Sequence, residues 1–249
     1  MNILATSGGF WPDVRRARRP GPLVDYALEL AGSPSRPRFC YVGTATGDSV
    51  VGTATAYEAF AGSDVVVSHL ALFPMPNVDD IGAHLLAQDV IWVGGGSVAG
   101  LLAMWRLHGV DETLREAWRA GVVLAGVSAG SLCWHVGGTT DSFGPALRPV
   151  TNGLALLPYS NGVHYDSDEQ RRPLYQRLVG DGTLPSGYAT DDGVGLHYRG
   201  QELAEVVADT PGRAAYRVEP DGAGGAKETP IEPRLLGPPV TRHRTAGDG

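Results

Sequence analysis

Cysteine is scarce in this chain, positive charge is in deficit and no long apolar run occurs. Each shortage removes a class of function. Two cysteines, Cys40 and Cys133, cannot build a disulfide framework. Cys40 lies in the apolar run Arg38-Phe39-Cys40-Tyr41-Val42, and both residues read as buried thiols. Lys and Arg number 20 against 27 Asp and Glu, a formal net charge of −7. That balance argues against nucleic-acid binding, which needs a basic face to displace counterions. An acidic ligand would have to be met by local arginines. No window approaches the ~18 consecutive apolar residues of a membrane span. The first apolar stretch reaches Gly8-Gly9 too soon for a signal peptide. A cytoplasmic protein with no membrane partner is therefore expected. Metal-ligand spacings such as His-Glu-x-x-His or Cys-x-x-Cys are missing, and His164 with Asp166 makes only a short pair. No metal or other cofactor is expected.

What remains is a chain of 249 residues, 43% apolar, long enough for one substantial core. Short β-branched runs alternate with helical stretches, which predicts an α/β fold with a mostly parallel sheet and helices on both faces. Strands are predicted near Ile3–Thr6, Arg38–Val42, Asp64–Leu70, Asp89–Val93 and Val122–Gly126. Helices are predicted near Leu23–Ala31, Val50–Ala61, Val98–Leu107 and Glu112–Arg119, the last with Asp111 as N-cap. After Asp141 the pattern loosens into a helix near Glu169–Val179 and antiparallel strands near Gly195–Tyr198, Leu203–Ala208 and Ala214–Val218. There is no internal repeat. A single domain over residues 1–219 is expected, with a Gly- and Pro-rich mobile tail over 220–249. The oligomeric state is open, a homodimer included.

The chemistry concentrates in Val122-Val123-Leu124-Ala125-Gly126-Val127-Ser128-Ala129-Gly130-Ser131. A buried strand runs into Gly-x-Ser-x-Gly and then a helix, the context that a nucleophile elbow needs. The small neighbours let the backbone cross closely, and Ser128 is presented at the strand end while amides at the helix start face a developing oxyanion. A Gly/Ser-rich turn without chemistry is the competing reading.

A second strand ends in Val93-Gly94-Gly95-Gly96-Ser97. It lacks the Lys-Ser/Thr of a P-loop and the Gly-x-Gly-x-x-Gly of a dinucleotide site. A backbone N–H there, beside the elbow, can serve as a second oxyanion donor; a structural tight turn is the alternative.

A serine nucleophile needs a base, usually histidine, oriented by an acid. Of seven histidines, His69, His84, His108, His197 and His243 have no companion chemistry, and His135 is two turns along the predicted helix after Ser128. His164 lies in the loop-like Asn161-Gly162-Val163-His164-Tyr165-Asp166 and is the candidate base. For the acid, Asp141, Asp191 and Asp192 are all admissible by spacing, and turn capping competes for each.

Together these segments resemble the peptidase E/cyanophycinase family of serine peptidases, which share the fold of class I glutamine amidotransferases. The matching pieces are Val93-Gly94-Gly95-Gly96, Gly126-Val127-Ser128-Ala129-Gly130, Thr140-Asp141-Ser142-Phe143-Gly144, His164-Tyr165-Asp166 and Asp191-Asp192-Gly193, in the family's order. The resemblance implies Ser128 as nucleophile, His164 as base and Asp141 as third member, with an oxyanion hole from the Gly96 and Ala129 amides. It implies a small peptide substrate with N-terminal aspartate, held by an arginine on the helix after the histidine, where Arg171 and Arg172 stand. Many relatives carry asparagine after the triple glycine; Ser97 stands there in this chain and would meet substrate with a shorter side chain. Isoaspartyl or cyanophycin-type dipeptides, an ester, and a non-catalytic amidotransferase-like binding module are the alternatives.

Overall fold

The β-branched runs near the start of the chain are apolar at successive positions, as strands buried on both faces require. The computed structural model describes residues 1–14 and 18–238. Its strands are β1 (Asn2–Thr6), β2 (Phe10–Pro12), β3 (Arg18–Pro20), β4 (Arg38–Val42), β5 (Val66–Leu70), β6 (Val90–Val93), β7 (Val123–Val127), β8 (Gly137–Thr140), β9 (Arg148–Val150), β10 (Ser160–Gly162), β11 (Gly187–Thr190), β12 (Val194–Arg199), β13 (Glu202–Ala208), β14 (Ala215–Pro220), β15 (Ala226–Ile231) and β16 (Arg234–Leu235). Its helices are α1 (Pro22–Leu30), α2 (Val50–Ala59), α3 (Ile81–Leu86), α4 (Val98–His108), α5 (Val110–Ala120), α6 (Ala129–Leu132) and α7 (Arg171–Gly180).

The main sheet has the order β16-β13-β12-β1-β7-β6-β4-β5. From β1 through β7, β6 and β4 to β5 the pairing is parallel, while β12 and β13 add antiparallel to it and to each other. Alternation along each strand sorts residues between two layers. Ile3, Ala5, Cys40, Val42, Ile91, Val93 and Leu124 pack with Leu101, Leu102, Trp105, Leu114 and Trp118 of α4 and α5. Leu4, Phe39, Val90, Trp92, Val123 and Ala125 face the other way, onto Leu23, Val24, Tyr26 and Ala27 of α1. Both cysteines are buried and free.

A second sheet, β15-β14-β11-β10-β8-β9, stands behind the elbow and packs on α7 through Tyr165, Tyr175, Leu178, Val179 and Val218. Its inner strands are short and rich in Gly, Ser and Thr, so sequence periodicity did not reveal them. The segment after Pro220 also differs from the tail expected there. Residues 226–231 pair with β14 over six positions, and Arg234–Leu235 pair with β13. Arg234 completes that attachment by donating to Glu205 at 2.6 and 3.0 Å. The remainder of the predicted tail, residues 239–249 with His243, lies outside the described residues.

Two local expectations are corrected. The cap of α5 is Gly109 in a left-handed conformation, shared with the end of α4, so Asp111 sits inside the first turn. The helix after Ser128 is a single turn, so His135 lies beyond it. His135 is fully buried, its Nδ1–H donating to Ser131 O at 2.9 Å while Tyr198 O–H faces Nε2 at 3.3 Å. Burial pushes its pKa down to about 4, against the opposing effect of the hydrogen bond it donates to Ser131 O. The unfolded chain binds a proton near pH ~6.5 that the folded chain refuses until about pH 4. Stability from this group is therefore complete above ~6.5 and is lost as pH falls through that window, by about 3 kcal/mol. Urea unfolding from pH 7 to 4 should show the native chain losing about that much more than His135→Gln; parallel curves would refute it.

Candidate active site

The strand-to-helix turn has the geometry that its small residues allow. Ser128 adopts φ +58°, ψ −111°, a positive-φ conformation that a side-chain-bearing residue holds only when its surroundings impose it. Its N–H donates to Thr6 O at 3.0 Å, and its carbonyl accepts from Ser131 and Leu132. The hydroxyl is not engaged in capping α6. A Cβ at Gly126 would lie 2.5 Å from Gly130 O, and one at Gly130 would lie 2.2 Å from Val93 O. Both glycines of the motif are thus demanded by backbone contact between β7, α6 and β6. Gly130→Ala should destabilise the fold by about 2 kcal/mol through this overpacking, read as a lower urea midpoint; an unchanged midpoint would refute the contact argument.

The triple glycine lies beside this turn because Val93 and Gly126 are register partners on β6 and β7. A Cβ on Gly95 would sit 3.3 Å from Ser128 Cβ. Gly96 has φ +133°, and a Cβ there would meet Ala45 O at 2.4 Å. Among the described residues neither the Gly96 nor the Ala129 N–H has a backbone acceptor. Ser97 caps α4, its Oγ accepting from Gly100 N–H at 3.1 Å.

His164 also has a positive φ, +54°. Its Nδ1–H donates to Asp192 Oδ1 at 2.5 Å, which leaves Nε2 as the acceptor nitrogen. Of the three acids admissible by spacing, Asp192 is the one hydrogen-bonded to the histidine, while Asp141, which the resemblance implies, is not. Asp141 instead lies 4.0 Å from Arg171 Nη2, with 62% of its side chain exposed. Strand order alone does not separate the two acids. β8 and β11 flank β10 on opposite sides, both parallel to it, so Asp141 and Asp192 leave strand ends on either side of His164, and the imidazole hydrogen-bonds to the β11 side.

One short segment ties these groups together. Thr6 O holds Ser128, and the next residue, Ser7, holds His164 and the turn that follows Asp192. Ser7 Oγ accepts the His164 N–H at 3.1 Å and contacts Thr190 Oγ1 at 2.7 Å. The Ser7 backbone exchanges bonds with Gly193 N–H and Val194 O, at 3.0 and 2.9 Å, fixing the turn after Asp192. Among the described residues the Ser128 hydroxyl forms no hydrogen bond with His164. Such contacts are commonly long in substrate-free sites and tighten on binding.

The predicted arginines part company. Arg171 opens α7 with only 9% of its side chain exposed, between Asp141 and Asp168. Its Nε is 3.3 Å from Asp168 Oδ2, within ion-pair reach yet without hydrogen-bond alignment. Arg172 turns away: it pairs with Glu228 and lies over the rings of Tyr165 and Tyr216. Asp191 also points inward, accepting from Ala214 N–H at 3.0 Å, and burial pushes its carboxyl pKa up. Sequence reasoning missed Ser7, Thr190 and Arg213. Position was the only available signal for Ser7, which stands where β1 ends, at the carboxyl edge of a parallel sheet where ligands bind.

Comparison with known proteins agrees with this geometry. Residues 3–206 match the model of peptidase family S51. The uncharacterized peptidase YgaJ of Bacillus subtilis is 44% identical over 183 residues, covering 74% of this chain and 78% of that protein. Peptidase E of Streptomyces coelicolor is 29% identical over 147 residues, 57% and 58% of the two chains. The crystal structure of a peptidase from an acI-B1 Actinobacterium covers 93% of this chain and 94% of its own, with a TM-score of 0.63 and 15% identity, a likeness of fold alone. With the family match spanning the elbow, the glycine loop and the histidine–carboxylate pair, this chain belongs to peptidase family S51.

Proposed function

We propose that the chain is a serine dipeptidase cleaving small peptides with an N-terminal aspartate through an acyl-enzyme on Ser128. The observation that carries the reading is the Thr6–Ser7 hub, which bonds Ser128 and His164 directly and the turn after Asp192 through Gly193, with Asp192 in turn on the imidazole. His164 Nε2 takes the Ser128 proton as Oγ attacks the scissile carbonyl. Asp192 holds the imidazole in the Nδ1–H tautomer and stabilises the imidazolium that forms. The Gly96 and Ala129 N–H groups receive the oxyanion. The imidazolium then protonates the leaving amine, and water resolves the ester by the reverse sequence.

Arg171 is the group assigned to the aspartyl side chain, since Arg172 is committed to Glu228. Its charge is already flanked by Asp141 and Asp168, and Ser97 Oγ is held as a cap, so recognition of the acidic residue is loosely built. That observation keeps β-aspartyl dipeptides as a second substrate class.

A fluorophosphonate probe should label Ser128 in a His164-dependent manner, and a panel of α- and β-aspartyl dipeptides should identify the linkage cleaved. A native protein that is neither labelled nor active on any member of the panel would overturn the reading.

A further inference from the structure

We infer that Asp166, braced by Arg213, is a positioning residue that holds the Asp192–His164 pair in register; the inference rests on the catalytic reading of that pair. Asp166 follows His164 by two residues, and its Oδ1 accepts the Asp192 N–H at 2.8 Å. The Asp192 side chain returns to His164 Nδ1, so the two turns are closed into a ring by one backbone and one side-chain contact. The other Asp166 oxygen pairs with Arg213. Arg213 is placed by its neighbour: Ala214 exchanges bonds with Asp191, its N–H reaching Asp191 Oδ2 at 3.0 Å and its carbonyl accepting the Asp191 N–H at 3.1 Å. The two consecutive aspartates thus divide the work. Asp191 stitches the turn to the loop that carries Arg213 into β14, and Asp192 faces the histidine.

Stability is a weak motive for this arrangement. The Arg213 side chain is 40% exposed, and ion pairs of that kind add little. Geometry is the stronger one. His164 keeps its positive-φ backbone only if neighbouring bonds over-determine it, and the Asp166 carboxylate joins its turn to two others.

The test compares Asp166→Ala and Asp166→Asn with the native protein. Three readouts are used: kcat and KM, the rate of Ser128 phosphonylation, and the downfield proton signal of His164 Nδ1–H. For Asp166→Ala, kcat and the labelling rate should fall about 10- to 100-fold, with KM changed less than about threefold and the proton signal weakened. Asp166→Asn keeps an acceptor for the Asp192 N–H and should recover most of the loss. In an Asp192→Asn background, Asp166→Ala should cost less than about threefold, because residues acting as a unit are not additive. Native labelling rate with an intact proton signal in Asp166→Ala, or equal losses in both backgrounds, overturns the inference while leaving the catalytic reading standing. A native protein whose Ser128 resists the probe sinks both.

Discussion

Ser128→Ala should leave a folded chain whose turnover of an aspartyl dipeptide is about 10⁶-fold lower. The size of the loss follows from the role proposed for the hydroxyl: without Oγ no acyl-enzyme forms, and only the oxyanion donors and binding contacts remain. Folding should be nearly untouched, because Oγ is not needed as a cap and the Ser128 backbone bonds to Thr6, Ser131 and Leu132 do not involve it. Steady-state kinetics with a urea midpoint on the same preparation checks both halves. Undiminished turnover with an unchanged midpoint would remove Ser128 from the mechanism.

The second large effect separates two carboxylates that the sequence could not. Asp192→Asn should lower kcat about 10⁴-fold, since an amide at that place favours the wrong imidazole tautomer while filling the same volume. Asp141→Asn should lower kcat less than about tenfold, and any effect should fall on KM, because Asp141 faces Arg171 rather than His164. Measuring kcat and KM for both variants decides the matter. A severe kcat loss in Asp141→Asn together with a mild one in Asp192→Asn would restore the third position to Asp141.

The difference between these two residues shows where sequence reasoning stops. Asp141 and Asp192 both follow strand-like segments, and both precede residues suited to turns. Linear spacing says nothing about which strand ends lie beside His164. β8 and β11 both lie parallel beside β10, so which acid meets the imidazole depends on the direction His164 takes after β10, and these strands are too short and too rich in Gly, Ser and Thr to carry a periodic signal. The strands after Pro220 escaped for a related reason: their residues gain order from pairing with β14 and β13, not from an apolar pattern of their own.

By itself the sequence determined what local sterics and patterning dictate. The buried runs specified a parallel sheet with helices on both faces. Gly126 and Gly130 around Ser128 marked the sharp corner, because only residues without a Cβ fit against Val93 there. Tertiary structure alone decided which side chains meet. It chose Asp192 over Asp141, assigned Arg172 to Glu228, and made Ser7 the shared support, since each contact joins segments distant in the chain whose approach is fixed by sheet order and by the direction the chain takes after each strand.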